Sequence, residues 1–347
     1  MITDLLPSLL AATQRAALAC QPWVGRGDGK AADAAAVAAL REALANCPGQ
    51  GTVVIGEGEK DAAPMLFVGE RVGAGGSPAF DLAVDPLENT TACARAAEGA
   101  VAVVAAAPAR TLWASPAWYV DKLVVPAEAA GAVDIRWPVE RNLAAVAEAR
   151  RKRVDELVAV VLDKPRHAEL VARLRASDVA VALIGDGDVL GVLRVVLPDG
   201  DADVLLGVGG APEGVISACT VRVLGGGMQT RPAPQSRAEA VRVAAAGQDP
   251  EAVLGLDELV ASDDCAVAIT AITGCALLRA PQRDGAAWTT ASLGLASGRE
   301  VLSIDATHVL CVPDTGIAGA CGGDSHDLGG GGRVGVRNGD AGGARCA

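Results

Sequence analysis

The residues best suited to chemistry in this 347-residue chain are carboxylates placed where an apolar run ends. The stretch V-D-P-L-E-N-T, 84–90, follows the apolar run 80–84 and sets Asp85, Glu88 and the Thr90 hydroxyl on one tight turn. Pro86 fixes its own φ and lacks an N–H, which predicts that the strand stops there and that the turn is stiff. Two acids three positions apart on such a turn repel each other unless a cation lies between them. Hard divalent metals take oxygen ligands of this kind, and Mg²⁺ usually shares its shell with water and substrate phosphate. For D-P-x-E alone, a solvated acidic turn fits equally well.

Other acids stand in similar places. Glu57 sits in G-E-G-E, 56–59, after the β-branched run 52–55, where glycines let the backbone bend around whatever the glutamates face. Asp33 follows the loop G-R-G-D-G-K, 25–30, near the start of an alanine-rich helix reaching about 44. Glu213 lies in G-G-A-P-E-G, 209–214, after the strand 204–208. Each position is a junction from a strand or glycine loop into a helix, where open α/β sheets build their sites. Together these acids suggest a polynuclear metal site.

Three further motifs carry polar groups. K-P-R-H, 164–167, sits between a strand and a helix; an ordinary turn with two surface cations is the favoured reading of those residues by themselves, and His167 is as much a packing residue as a ligand. D-G-D, 186–188, offers acceptor-only chemistry suited to sugar hydroxyls, and a solvated turn fits equally. G-V-G-G-A-P, 207–212, has Pro212 where a dinucleotide fingerprint needs its third glycine, so that reading fails. A glycine turn at a helix N-terminus remains, favourable for an anion or for positioning a metal-bound acid.

The elements that must hold these residues follow from the hydrophobic pattern. Helices are predicted at 9–19, from 32, from near Thr90 and at 141–152, with strands at 52–55, 80–84 and 100–106. Strand 157–162, helix 166–176, strand 179–184, helix 188–195, strand 203–208 and helix 213–224 then alternate as a β-α-β-α-β-α series. Residues 225–237, rich in Gly, Pro and polar side chains, read as a loop. Helices at 238–246 and 251–260 and a strand at 265–272 follow. The segment 316–347 holds 12 glycines and few large apolar residues, so a disordered tail is expected over 313–347 after a catalytic domain at 1–312. Cys321, Asp324 and His326 in that tail are a compositional match too weak to read as a metal cluster.

In order and spacing, the blocks G-R-G-D at 25–28, V-I-G-E-G-E at 54–59, A-P-M-L at 63–66, V-D-P-L-E-x-T at 84–90, K-P-R-H at 164–167, D-G-D-V at 186–189 and G-G-A-P-E-G-V at 209–215 resemble class II fructose-1,6-bisphosphatase. The resemblance covers roughly residues 20 to 310, and so many blocks in register are far more specific than any one. The D-P-x-E-x-T turn also resembles that of inositol monophosphatases, within the wider lithium-sensitive sugar phosphatase group. The resemblance implies an α/β layered sugar-phosphatase fold of two intimately packed halves, expected to meet near residue 150. It implies Mn²⁺ or Mg²⁺ held by Asp33, Glu57, Asp85, Glu88 and Glu213, with Thr90, Glu57 and Asp33 at the chemistry. It implies a sugar bisphosphate bound by Glu88, Asn89, Thr90, Tyr119, Lys164, Pro165, Arg166, Asp186, Gly187, Asp188 and Gly210. The implied reaction releases the 1-phosphate of fructose-1,6-bisphosphate in gluconeogenesis. Alternatives are sedoheptulose-1,7-bisphosphate or both sugars, an inositol-type monophosphatase, and a silent sugar-phosphate binder.

Two positions depart from the family pattern. Asn89 stands where glycine is usual, and Gly29 then Lys30 follow Asp28, where lysine is usual directly after the aspartate. Asn tolerates the left-handed conformation, so the turn is expected to survive, with the side chain crowding the phosphate pocket.

Composition sets the remaining bounds. Hydrophobic residues make up 51 % of the chain but aromatics only 2 %, so the core must be built from Ala, Val and Leu, as in parallel sheets flanked by helices. A formal charge of −12 without a basic block argues against nucleic acid, while metals and a few local cations still suit phosphate substrates. Nine scattered cysteines without a C-x-x-C pair read as reduced thiols of a cytoplasmic protein. Three histidines make a histidine-rich metal site a poor reading. No signal peptide and no membrane span is expected, and a homo-oligomer, dimer or tetramer, is expected of such an enzyme.

Overall fold

The computed structural model describes residues 1–56, 65–114, 117–249, 251–309 and 334–336. Helices α1 (Leu6–Cys20) and α2 (Gly29–Ala45) precede β1 (Gly49–Ile55), β2 (Arg71–Gly75) and β3 (Ala79–Glu88). Helix α3 (Thr90–Arg95), β4 (Val101–Pro108), β5 (Tyr119–Val125) and α4 (Val139–Arg150) come next. The alternating series is β6 (Val158–Leu162), α5 (Ala168–Ala176), β7 (Ala180–Ile184), α6 (Val189–Val196), β8 (Val204–Gly210) and α7 (Ala211–Leu224). Then follow β9 (Gly227–Pro232), α8 (Arg237–Ala245), β10 (Leu254–Gly255), α9 (Leu256–Leu259), β11 (Ala266–Ala271), β12 (Gln282–Asp284), β13 (Ala287–Ala296), β14 (Leu302–Val309) and β15 (Val334–Val336).

Two sheets result. The larger runs β15-β14-β13-β11-β4-β3-β1-β2, with β12 paired to β13; the smaller runs β10-β9-β5-β8-β6-β7. Strands alternate their side chains between faces, and this alternation builds five layers. On β4, Ala102, Val104 and Ala106 join the core beneath α1 and α2. Val101, Val103, Ala105 and Ala107 face the other way, into a core shared with α6, α7 and the inner face of the smaller sheet. On β6, Val160 joins that middle core, while Ala159 and Val161 pack outward beneath α4 and α5. The order is therefore helix, sheet, helix, sheet, helix, an α/β layered fold filled almost entirely by Ala, Val, Leu and Ile.

The structure corrects several expectations. The larger sheet is antiparallel apart from β1 beside β3, and only β7-β6-β8 of the smaller sheet is parallel. A core poor in aromatics suits close helix–sheet packing in either strand direction. Strand β3 does not stop at Pro86: it runs to Glu88 through an irregularity between Asp85 and Glu88, and a bulge tolerates the missing N–H. Residues 225–237 are not all loop, because β9 pairs with both β5 and β10 and buries Met228, Thr230 and Pro232 on one face. The predicted helix 251–260 is a two-residue strand and a four-residue helix. Residue 150 falls inside the smaller sheet's stretch. The smaller sheet is one continuous stretch of chain, β5 to β10, lying between β1–β4 and β11–β15 of the larger sheet. Of the glycine-rich tail, Val334–Val336 pairs with β14, and the rest lies outside the described residues.

Candidate active site

In the smaller sheet, parallel strands β7, β6 and β8 end at one edge, and the segments that follow them are D-G-D, K-P-R-H and the first turn of α7. Ligands bind outside such carboxyl ends in open α/β sheets. Antiparallel β5 begins where β8 ends, with Tyr119 opposite Gly210. From the larger sheet, β3 brings Asp85 and Glu88 to the same seam. Sequence-distant motifs thus meet because strand ends meet.

At the seam lies a buried cluster of acids around one lysine. Lys122, on β5, is fully buried and donates to Asp188 Oδ2 at 2.5 Å. Glu88 is 2 % exposed; its Oε1 accepts the Val189 N–H at the start of α6 at 3.2 Å, tying the larger sheet to the middle layer. Glu213 sits in the first turn of α7, where an acid is favourable. The Glu88 Oε2, Asp188 Oδ1 and Glu213 Oε2 atoms are buried without a hydrogen-bond partner. Burial pushes the Glu88 carboxyl well above the usual glutamate range, and the charges of Asp188 and Glu213 push the same way. Burial likewise raises Glu213, with Lys122 opposing, and raises Asp33. Close packing around the cluster requires glycine. A Cβ on Gly187 (φ +75°) would lie 2.9 Å from the Glu88 carboxyl carbon, and one on Gly209 would lie 2.3 Å from Asp188 Oδ2.

Two clefts open onto this cluster. One, of about 520 Å³, is lined by Lys30, Asp33, Asp85, Glu88, Asn89, Thr90 and Glu213. The other, of about 540 Å³, is lined by Trp118, Tyr119, Lys164, Arg166, Asp188 and Gly210. Asp186, Gly187 and Glu213 line both, so the two adjoin. Lys164 pairs with Asp186 at 2.5 Å, and Arg166 donates twice to the Val208 carbonyl (3.1 and 2.8 Å) with its guanidinium 5.4 Å from the Tyr119 ring centroid. Pro165 is exposed and starts a short 3₁₀ turn without lining either cleft. His167 is a packing residue: its Nε2 accepts from the Val208 N–H (2.8 Å) while Nδ1 donates to the Leu162 carbonyl (2.7 Å). Glu57 lies outside the described residues.

The departures acquire definite roles. Asn89 is left-handed (φ 66°, ψ 57°), as a position favouring glycine requires. Its Oδ1 caps α3 by accepting the Ala92 N–H (3.1 Å), and its Nδ2 donates to the Asp186 carbonyl (3.3 Å). The side chain expected to crowd the pocket is instead engaged in these bonds, linking the β3 turn to the D-G-D loop. Lys30, displaced by one position, still lines the acidic cleft. The Thr90 hydroxyl donates to the Leu87 carbonyl at 3.3 Å. Sequence reasoning gave Lys122 no role; the signal available was a lone lysine inside the largely apolar strand V-D-K-L-V-V.

Buried, acceptor-only oxygens without donors suit a hard divalent cation. Among the described residues no group of three or more His, Cys, Asp or Glu side chains is already arranged as a coordination sphere.

Residues 3–308 match the family described as bacterial fructose-1,6-bisphosphatase, glpX-encoded. The chain is 38 % identical over 312 residues to a class 2 fructose-1,6-bisphosphatase of Haemophilus influenzae, covering 86 % of this chain and 94 % of that protein. It is 39 % identical over the same length to fructose-1,6-bisphosphatase 1 class 2 of Escherichia coli K12, covering 86 % and 93 %.

Raised carboxyl pKa values have a defined sign in stability. Without metal, folded Glu88 and Glu213 bind their protons more tightly than unfolded glutamates, which release them near pH ~4.3. Their favourable contribution is full below that pH and is lost as pH rises through the raised values. The chelated protein should therefore lose thermal stability as pH rises above the unfolded glutamate value, and the gain in Tm on adding Mn²⁺ should widen in the same direction. Melting curves with and without chelator check this; a gain independent of pH contradicts it.

Proposed function

This chain belongs to the bacterial glpX-encoded fructose-1,6-bisphosphatase family, and we propose that it hydrolyses the 1-phosphate of fructose-1,6-bisphosphate, giving fructose 6-phosphate and phosphate in gluconeogenesis. The observation that carries this reading is the adjacency of the two clefts: acids line one, Lys164 and Arg166 line the other, and Asp186, Gly187 and Glu213 belong to both. A bisphosphate needs both kinds of surface, one at the reacting phosphate and one to grip the distal phosphate.

In this reading Asp33, Glu57, Asp85, Glu88 and Glu213 hold divalent cations, Mn²⁺ or Mg²⁺. When bound, such cations lower the pKa of water and stabilise charge on the attacking and leaving oxygens. Thr90 orients the attacking water or contacts the phosphoryl group, its hydroxyl exchanging the Leu87 carbonyl for that partner. Lys164 and Arg166 bind the distal phosphate, the latter by its planar fork. Lys164 exchanges its pairing with Asp186 for the phosphate, which leaves the Asp186–Asp188 carboxylates to accept from sugar hydroxyls. Tyr119 and Gly210 complete the sugar side. Lys122 fixes the Asp188 carboxyl in place through their buried contact. The cytoplasm is the compartment proposed, supported by six free cysteines among the described residues and by the absence, among those residues, of a helix long and apolar enough to cross a membrane.

Phosphate release by the purified protein tests the proposal. Fructose-1,6-bisphosphate with Mn²⁺ or Mg²⁺ should yield one equivalent of phosphate per sugar, and EDTA should abolish the reaction until metal is restored. Full activity in chelator, or faster turnover of inositol phosphates than of sugar bisphosphates, sinks it.

Two substitutions on the β3 turn separate chemistry from positioning. Thr90→Val should lower kcat far more than it raises KM, because the lost contact is used in the transition state. Asn89→Gly exchanges a left-handed asparagine, about 1 kcal/mol less favourable there than glycine, for loss of a cap worth a few tenths and of a hydrogen bond worth about 1 kcal/mol. Its Tm should hence barely move. KM should still rise several-fold as the D-G-D loop loses its tie; an unchanged or lower KM shows that the tie is idle.

A further inference from the structure

Aromatic residues are scarce in this chain, with five Trp, two Phe and one Tyr. Phe80 is fully buried, as a large apolar ring ordinarily is. Trp118 is 54 % exposed and stands beside Tyr119, the chain's sole tyrosine, on the wall of the cleft that holds Lys164 and Arg166. A singly exposed hydrophobic residue needs no special explanation. What sets Trp118 apart is how firmly it is held.

Glu239, on α8, is 1 % exposed, and its Oε1 accepts the backbone N–H groups of both Trp118 (2.8 Å) and Tyr119 (2.9 Å). Its Oε2 accepts the Gln235 N–H at 2.9 Å, so the carboxylate is fully engaged. Three residues along the same helix, and so on the same side of it, Arg242 sets its guanidinium carbon 4.0 Å from the Trp118 ring centroid. The Trp118 carbonyl accepts the Ala211 N–H at 2.8 Å, fixing this residue to the first turn of α7, two positions before Glu213. A buried carboxylate is committed to the backbone of Trp118, a cation covers one face of its indole, and the residue, 54 % exposed, still borders the cleft.

We propose that Trp118 is a substrate-contacting, specificity-determining residue: its indole packs against the carbon face of the phosphosugar, between the metal-binding acids and the distal-phosphate cations. This rests on the bisphosphatase reading of the site. Glu239 and Arg242 are positioning residues that present the indole. Ligand pockets combine such apolar walls with a few placed polar groups, and an aromatic face contact with its buried area contributes about tenfold in affinity. The contact reads the sugar and not the phosphate, so it discriminates among sugar phosphates and is indifferent to free phosphate.

The test compares Trp118→Ala and Trp118→Phe with the wild type, all loaded with Mn²⁺, on fructose-1,6-bisphosphate and on its seven-carbon homologue. Inhibition by inorganic phosphate and Tm are measured in parallel. Trp118→Ala should raise KM about tenfold while kcat and the phosphate inhibition constant stay near wild type, and the ratio of kcat/KM for the two sugars should shift. Trp118→Phe should recover most of the KM. Glu239→Gln, which keeps the shape but weakens the grip, should raise KM in the same direction and by less. If Trp118→Ala is too unstable to assay, the phenylalanine and Glu239 variants decide by the same split. A wild type that hydrolyses the bisphosphate, with KM unchanged in the folded Trp118 variants, overturns this inference alone. A wild type inactive on the bisphosphate overturns the underlying reading and the inference with it.

Discussion

The structure depends on an imbalance of buried charge. Glu88, Asp188 and Glu213 meet at the seam between the sheets with Lys122 as the lysine among them, and each acid keeps a buried oxygen without a hydrogen-bond partner. Burying an unpaired carboxylate is strongly unfavourable. In the protein without metal that demand shows as raised pKa values at Glu88 and Glu213. A divalent cation meets it by supplying the missing positive charge. Such an imbalance favours binding a metal over staying empty.

Everything around the seam maintains that arrangement. The five layers bring the end of β3 from one sheet against the start of α6 and the first turn of α7 in the layer between the sheets. Glu88 caps α6, so the acid that needs a cation is also a structural tie between layers. Gly187 and Gly209 lie so close to Glu88 and Asp188 that a side chain at either position would displace those carboxyl groups. Asn89 extends the tie to the D-G-D loop, and Glu239 fixes the aromatic wall on the far side of the second cleft. Rigid supports of this kind hold a site in its working geometry more reliably than loops do.

Much of this was legible in the sequence, because acids at strand-to-helix junctions and the β-α series are local patterns. The structure sets Asp33, Asp85, Glu88, Asp186–Asp188 and Glu213, which those patterns singled out, along two adjoining clefts. What escaped depended on distant partners. Strand β3 continues past Pro86 because β4 keeps pairing with it at Glu88, and β9 forms in a polar, proline-bearing stretch because β5 and β10 lie on either side. The antiparallel larger sheet could not be read from composition, since Ala and Val fill either strand direction. Asn89 and Asp186 are 97 residues apart, Trp118 and Glu239 are 121 apart, and no local pattern announces either contact. Lys122 left only the faint mark of a cation inside an apolar strand.

The most direct test of this account follows one substitution in two opposite directions. Glu213→Gln keeps the shape but removes a buried charge. Calorimetric titration of Mn²⁺ and melting of the chelated protein should be measured on both forms. The account predicts that the variant binds Mn²⁺ more weakly by well over the ~10-fold typical of an outer-shell change, while the chelated variant melts at the same or a higher temperature than the chelated wild type at pH about 8. Unchanged Mn²⁺ affinity, or a variant that is less stable without metal, would contradict the claim that unbalanced buried charge is what builds this site.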